Sequence, residues 1–170
     1  LAKEARSFAF NELEIKKNNS YTTYADLNRE AVVWNVFAAT EFSLELKKWC
    51  FLIVGCFNYK GFFNYNEAKQ FSKNISKERN LEISIVPIPA YSTLGWSGVI
   101  GGDPILNTFI DYPDSSFVGL IFHEFAHQKI FVKDDTTFNE SFATAVEKIA
   151  VNEWLIKKNN LKEIEFFKKH

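Results

Sequence analysis

The chain has 170 residues and is 46% hydrophobic and 16% aromatic, with 18 Phe and no Met; that is enough for one domain with a real core, and it excludes a disordered chain. Its 20 basic and 21 acidic residues leave a formal net charge of −1, so nothing in the balance points to a nucleic-acid or anionic-membrane partner. No apolar run reaches the roughly 18–20 residues that span a bilayer. No secretory signal is visible, but Leu1 already opens a helical pattern, which leaves room for an upstream segment.

In chain order, Ala5, Phe8, Ala9 and Leu13 recur at helical spacing, predicting a helix over 2–14. The polar run Lys16-Lys17-Asn18-Asn19-Ser20 breaks it. Ala31 to Ala39 is rich in β-formers, as is Trp49 to Phe57, and Gly61-Phe62-Phe63 suggests a further short strand. Cys50 and Cys56 fit no zinc spacing. On one straight strand their Cα atoms would lie about 20 Å apart, so two buried thiols are favoured over a bridge, which would need a turn near Gly55. Asn66 to Arg79 reads as a helix with Ala68, Phe71 and Ile75 on one face. Leu81 to Val86 alternates as a strand, and Pro87 and Pro89 end it or place it at a sheet edge. A glycine-rich loop over 92–113 contains a short apolar turn at Ile105, Leu106 and Phe109. Helices follow from Asp114 or Ser115 to Ile130 and from Thr137 to Lys157, with a third over Leu161 to Lys169. No repeat or low-complexity linker divides the chain, so 1–170 reads as a single domain. The pattern is α+β: a small sheet, then a helical C-terminal half.

The segment with chemistry is Leu120-Ile-Phe-His123-Glu124-Phe-Ala-His127-Gln, an H-E-x-x-H within a helical stretch. Two histidines four apart share one helix face, one turn apart, and can reach one metal ion. Glu124 is rotated by about 100° and can face a water there. The uncharged flanks predict a buried helix, where an unpartnered His-Glu-x-x-His stripe would be costly. A peptidase zinc needs a third protein ligand, and the one remaining histidine is the terminal His170. Glu140, thirteen residues after His127, is the best candidate. Its alternative role is a capping box with Thr137, three residues before it. Glu147 is the reserve ligand. Asp134 and Asp135 are candidates to orient a ligating histidine.

Beyond this motif the chain resembles the aminopeptidase family of bacterial, lipoprotein-type zinc proteins, from about Ala5 to Leu155. The resemblance is carried by Tyr24-Ala-Asp-Leu, Val33-Trp-Asn-Val, Glu41-Phe-Ser-Leu, Trp49-Cys-Phe with Gly55-Cys, and Gly61-Phe-Phe. It continues through Ala90-Tyr-Ser-Thr-Leu-Gly-Trp96, Asp103-Pro-Ile-Leu-Asn-Thr108, Phe122-His-Glu-Phe-Ala-His-Gln128 and Asp135-Thr-Thr-Phe-Asn-Glu-Ser-Phe-Ala-Thr144. It implies a zincin-like, more narrowly gluzincin-like, metallopeptidase fold with an edge strand beside the motif helix. The implied zinc ligands are His123, His127 and Glu140, with Glu124 as catalytic base. It also implies a cell-envelope or periplasmic setting and a longer natural chain with a lipidated N-terminus upstream. Ser97-Gly-Val-Ile-Gly-Gly102 lengthens a loop that is compact in the family.

The expected function is zinc-dependent peptide-bond hydrolysis, with peptide or protein as substrate and Glu124 activating the zinc-bound water. The alternative is a zinc-binding module of the same fold without turnover; a chance motif in a structural domain is the third reading. An oxyanion needs a second stabiliser. With histidine nearly excluded and the arginines read as distant, Tyr91 is the first candidate and Tyr112 the second. Ala90 to Leu94 is a segment that could hold an extended peptide by strand addition. For a substrate α-amine, Glu147, Asp103, Asp134 and Asp135 are all eligible and none stands out.

Overall fold

The computed structural model describes residues 1–51, 55–77, 80–90, 102–160, 163–164 and 167. They fall into two compact units. One is discontinuous, Leu1–Asn28 with Tyr91–His170; the other is the intervening Arg29–Ala90. No shift of composition in the sequence marks their boundary.

The first unit contains helix α1 (Ala2–Asn11) and strand β1 (Tyr24–Ala25). The second contains β2 (Val33–Thr40), β3 (Trp49–Phe51), β4 (Gly55–Phe57), β5 (Lys60–Phe62), α2 (Tyr65–Ile75) and β6 (Leu81–Ile88). The chain then returns to the first unit with β7 (Ile105–Leu106), α3 (Asp114–Lys129) and α4 (Thr136–Lys157). Glu163, Ile164 and Phe167 are also helical.

In the intervening unit β2 lies between β5 and β6, antiparallel to both. Side chains alternate along β2, so Trp34, Val36 and Ala38 share a face. They pack with Phe62, Ile83 and Ile85 against Ala68, Phe71 and Ile75 of α2. The Asn64 side chain caps α2 by accepting from the Asn66 N–H at 2.8 Å. Helix α2 stops at Ile75, short of the expected Arg79. Pro87 sits inside β6, opposite Trp34. It is tolerated because β6 is an edge strand, as the proline itself suggests.

Trp49 to Phe57 is two strands rather than one. Strands β3 and β4 are antiparallel with Cys50 directly opposite Cys56. Their Cα atoms are 4.0 Å apart and the two cysteines form a disulfide. The expectation of two free thiols is therefore overturned, because it assumed an unbroken strand.

In the discontinuous unit α3 and α4 form an antiparallel helical hairpin joined through residues 130–135. Helix α3 is apolar on nearly every side, with Phe117, Val118, Ile121, Phe122, Phe125 and Ala126 all buried. Helix α1 covers one flank, placing Phe8 5.4 Å from Phe122 and Phe10 5.7 Å from Phe125, centroid to centroid. It ends at Asn11 rather than at residue 14; Glu14 has φ 53°, which a helix cannot accommodate. Strand β1 pairs in parallel with β7. That pairing was not expected, since Ile105 and Leu106 read as part of a turn. Among the described residues no helix is long and apolar enough to cross a membrane.

Candidate metal centre

Helix α3 presents His123 and His127 on one face, with ring centroids 4.9 Å apart and planes at 81°. Helix α4 faces them with Glu140 and Glu147, two turns apart and so on one side of that helix. Nε2 of His123 lies 3.3 Å from Oε2 of Glu140, and Nε2 of His127 lies 3.7 Å from Oε1 of the same carboxylate. The other ring nitrogen of His123, Nδ1, donates to Oε2 of Glu147 at 3.0 Å.

His123, His127 and Glu140 offer one ligand atom each, all within 4.8 Å of one another, a group able to hold a metal ion. Tetrahedral coordination at bond lengths near 2.0–2.1 Å would place neighbouring ligand atoms about 3.3 Å apart. The observed 3.3 and 3.7 Å separations lie close to that spacing. The donor set, two imidazoles and a carboxylate, suits a borderline divalent cation. The Glu140 side chain is 57% exposed and the His123 side chain 18%, so the group opens to solvent on the carboxylate side.

The local fold explains why Glu140 is available. The side chain of Asp135 caps α4 by accepting from the Phe138 N–H at 2.9 Å. With Asp135 as the cap, Glu140 falls beyond the first turn and cannot complete a capping box with Thr137. Beside it, Asn139 is buried and clamps Val132: its Oδ1 accepts from the Val132 N–H at 2.8 Å and its Nδ2 donates to the Val132 carbonyl at 2.7 Å. This ties the connection leaving the histidine helix to the residue preceding Glu140.

Without a metal the three groups perturb one another. For His123, burial acts to lower the pKa, but the hydrogen bonds it donates to Glu140 and Glu147 and the charges of Glu124 and Glu147 prevail and raise it to about 10. Burial holds His127 below its usual value, opposed by Glu140 and assisted by His123. Glu140 is held below the usual carboxylate range chiefly by its hydrogen bond from His123. The metal-free site thus keeps a proton on His123 between two carboxylates. Nδ1 of His127, in contrast, is buried with no hydrogen-bond partner among the described residues.

Glu124 is buried, at 7% exposure, on the same helix. Tyr91 and the segment from Tyr91 to Leu94 lie outside the described residues, so the structure says nothing of their expected role. Tyr112 precedes α3 and is exposed; His123 lies eleven residues on, about 16 Å along a helix axis. Asp135 is a cap, and Asp103 is buried against Ser20, whose hydroxyl lies 3.4 Å from its Oδ2. The carboxylate on Nδ1 of His123 is that of Glu147, not of Asp134 or Asp135.

Tyr21 escaped the sequence. It is buried, stands at φ 60° and packs edge-on against Phe125 with centroids 5.3 Å apart. Burial, then the charges of Glu124 and Asp103, push its phenol well above the ordinary value. The backbone of Asn19 and Ser20 passes so close to Gly102, at φ +88°, that a Cβ there would collide with it. Neither this approach nor the left-handed tyrosine has a signature in residue spacing.

A family model described as "Putative aminopeptidase" matches residues 1–169 of the chain. No curated protein and no solved structure matches it.

Proposed function

The chain belongs to this aminopeptidase family, and from that membership we propose that it is a zinc-dependent peptidase acting at the N-terminus of peptides. The observation that carries the zinc assignment is the convergence of His123, His127 and Glu140 across two packed helices. A ligand pair four apart on one helix and a glutamate on the next supports a gluzincin-like arrangement.

In this reading His123 and His127 hold the ion through Nε2, and Glu140 holds it through its carboxylate. The ion supplies a polarised scissile carbonyl and a more acidic water when bound. Glu124 accepts the proton of the attacking water and returns it to the departing amine. Its burial on α3 keeps the carboxylate away from bulk solvent, which suits a group that must hold and release a proton. Tyr91 remains our proposed stabiliser of the oxyanion. The peptide is the partner. A cell-envelope location is favoured by the family likeness and by the Cys50–Cys56 bridge, which persists in oxidising compartments.

The test is metal analysis joined to turnover. Purified protein should carry about one zinc per chain and cleave peptides with a free amino terminus faster than blocked ones. Glu124→Gln should retain the zinc and lose cleavage. A protein that takes up no zinc at neutral pH would overturn the proposal. Zinc uptake without cleavage of a broad peptide library would assign the site to a binding module instead.

A further inference from the structure

The two histidines of the site are not held alike. His123 has a carboxylate on each ring nitrogen, Glu140 on Nε2 and Glu147 on Nδ1. His127 has Glu140 near Nε2 and, among the described residues, no partner on its buried Nδ1. A histidine that binds metal through Nε2 must carry its proton on Nδ1, and an acceptor there fixes both the tautomer and the ring plane. Only His123 has that acceptor among the described residues.

Glu147 reaches His123 across the face of α3, and the sequence makes room for it. One turn before His123, α3 carries Gly119, an unfavourable residue in a helix interior. A Cβ at Gly119 would lie 3.1 Å from Oε1 of Glu147, 3.5 Å from its Cγ and 3.4 Å from Cγ2 of Val151. The glycine is thus the floor of a slot, and the Glu147 side chain occupies that slot. Its backbone has no positive φ, so conformational freedom does not explain it; the close approach of α4 does.

The geometry points to Glu147 as a positioning residue: lodged against Gly119, it accepts the Nδ1 proton of His123 and presents Nε2 of that ring to the metal. It is not itself a ligand, since its carboxylate stands on the far side of the imidazole from Glu140. The inference rests on the metal-site reading above. It goes beyond that reading by giving the α3–α4 pair a two-residue device, Gly119 and Glu147, that sets the orientation of one ligand only.

The experiment measures zinc affinity by competition with a chelator, in parallel with thermal unfolding and with nitrogen-15 NMR of the histidine rings. Glu147→Ala should weaken zinc binding by about 10- to 100-fold, and the His123 ring should lose its single tautomer in the zinc-loaded protein. Glu147→Gln, which keeps an acceptor oxygen, should recover part of both. Gly119→Ala supplies the second arm, because alanine favours the helix. It should weaken zinc binding by displacing the carboxylate while leaving the unfolding temperature of the metal-free protein unchanged or higher. Wild-type zinc affinity and an unchanged His123 tautomer in Glu147→Ala would overturn the inference. Wild-type protein that binds no zinc would instead remove the reading beneath it.

Discussion

Asn139 spends both ends of its side-chain amide on the backbone of a single residue, Val132. The pair closes a ring of hydrogen bonds between the end of the histidine helix and the first turns of α4, one residue from Glu140. Asn139→Ala would remove both bonds, leaving the Val132 N–H without its side-chain partner and the Val132 carbonyl with the Asp135 N–H at 3.4 Å, at a cost of about 0.5–1.5 kcal/mol per bond lost. We expect that loss in chemical denaturation, together with weaker zinc binding, because the clamp sets where Glu140 stands. Asn139→Asp keeps the acceptor and removes the donor, and should fall between the two. Full zinc affinity in Asn139→Ala would show that α4 holds its register without the clamp.

The metal-free protein should lose stability in the alkaline range through His123. Its pKa is raised in the fold to about 10, above the unfolded value near 6.5. The folded state therefore binds the proton more tightly, and that contribution is full below about pH 6.5 and gone above about pH 10. His123→Gln should flatten the decline in unfolding free energy between those limits. Zinc uptake near neutral pH should expel the same proton. Calorimetry in buffers of differing ionisation enthalpy reads the release directly, and a buffer-independent heat would refute it.

Tyr21 gives a second alkaline signature, separable by absorbance. Because its phenol is held well above the ordinary value by burial and then by Glu124 and Asp103, the neutral form is favoured in the fold. Its contribution is complete below the unfolded value near 10 and declines as pH rises beyond it. Of the six tyrosines, Tyr21 should ionise only when the chain unfolds. Tyr21→Phe should remove one phenolate from the unfolded total and none from the folded titration. A lower folded count in the variant would place the phenol in water.

The disulfide makes a modest local contribution. Cys50 and Cys56 close a loop of six residues, and loop closure of that size is worth about 2 kcal/mol in the chain-entropy account. Replacing both by serine should lower the unfolding free energy by about that amount. Zinc content should stay the same, because all three ligands lie in the discontinuous unit.

The site was more legible in the sequence than the fold that carries it. His123, Glu124 and His127 declare themselves because ligand spacing on a helix is a property of five consecutive positions. Glu140 was the best third ligand by position, and the family resemblance strengthened it against the local cap that Thr137, three residues earlier, offered; Asp135 took that role instead. Glu147 was visible as an acid on the right face of its helix, but its partner was not, because contact across helices depends on the Gly119 slot. The Cys50–Cys56 bridge was misjudged because an apolar run says nothing of where a strand reverses. Tyr21 was silent, since a left-handed aromatic is set by its surroundings and not by its neighbours in sequence.

The interleaving of the two units has a consequence for biosynthesis. Everything that builds the sheet unit lies in one uninterrupted stretch, Arg29–Ala90. Its strand pairings, β5-β2-β6 and β3-β4, are all made within that stretch. The other unit starts first and finishes last: β1 must wait for β7 as its partner, and α3 must wait for α4. The histidines emerge before Glu140, so the proposed ligand set stays incomplete until α4 is made. Metal loading, in the proposed reading, follows the emergence of α4.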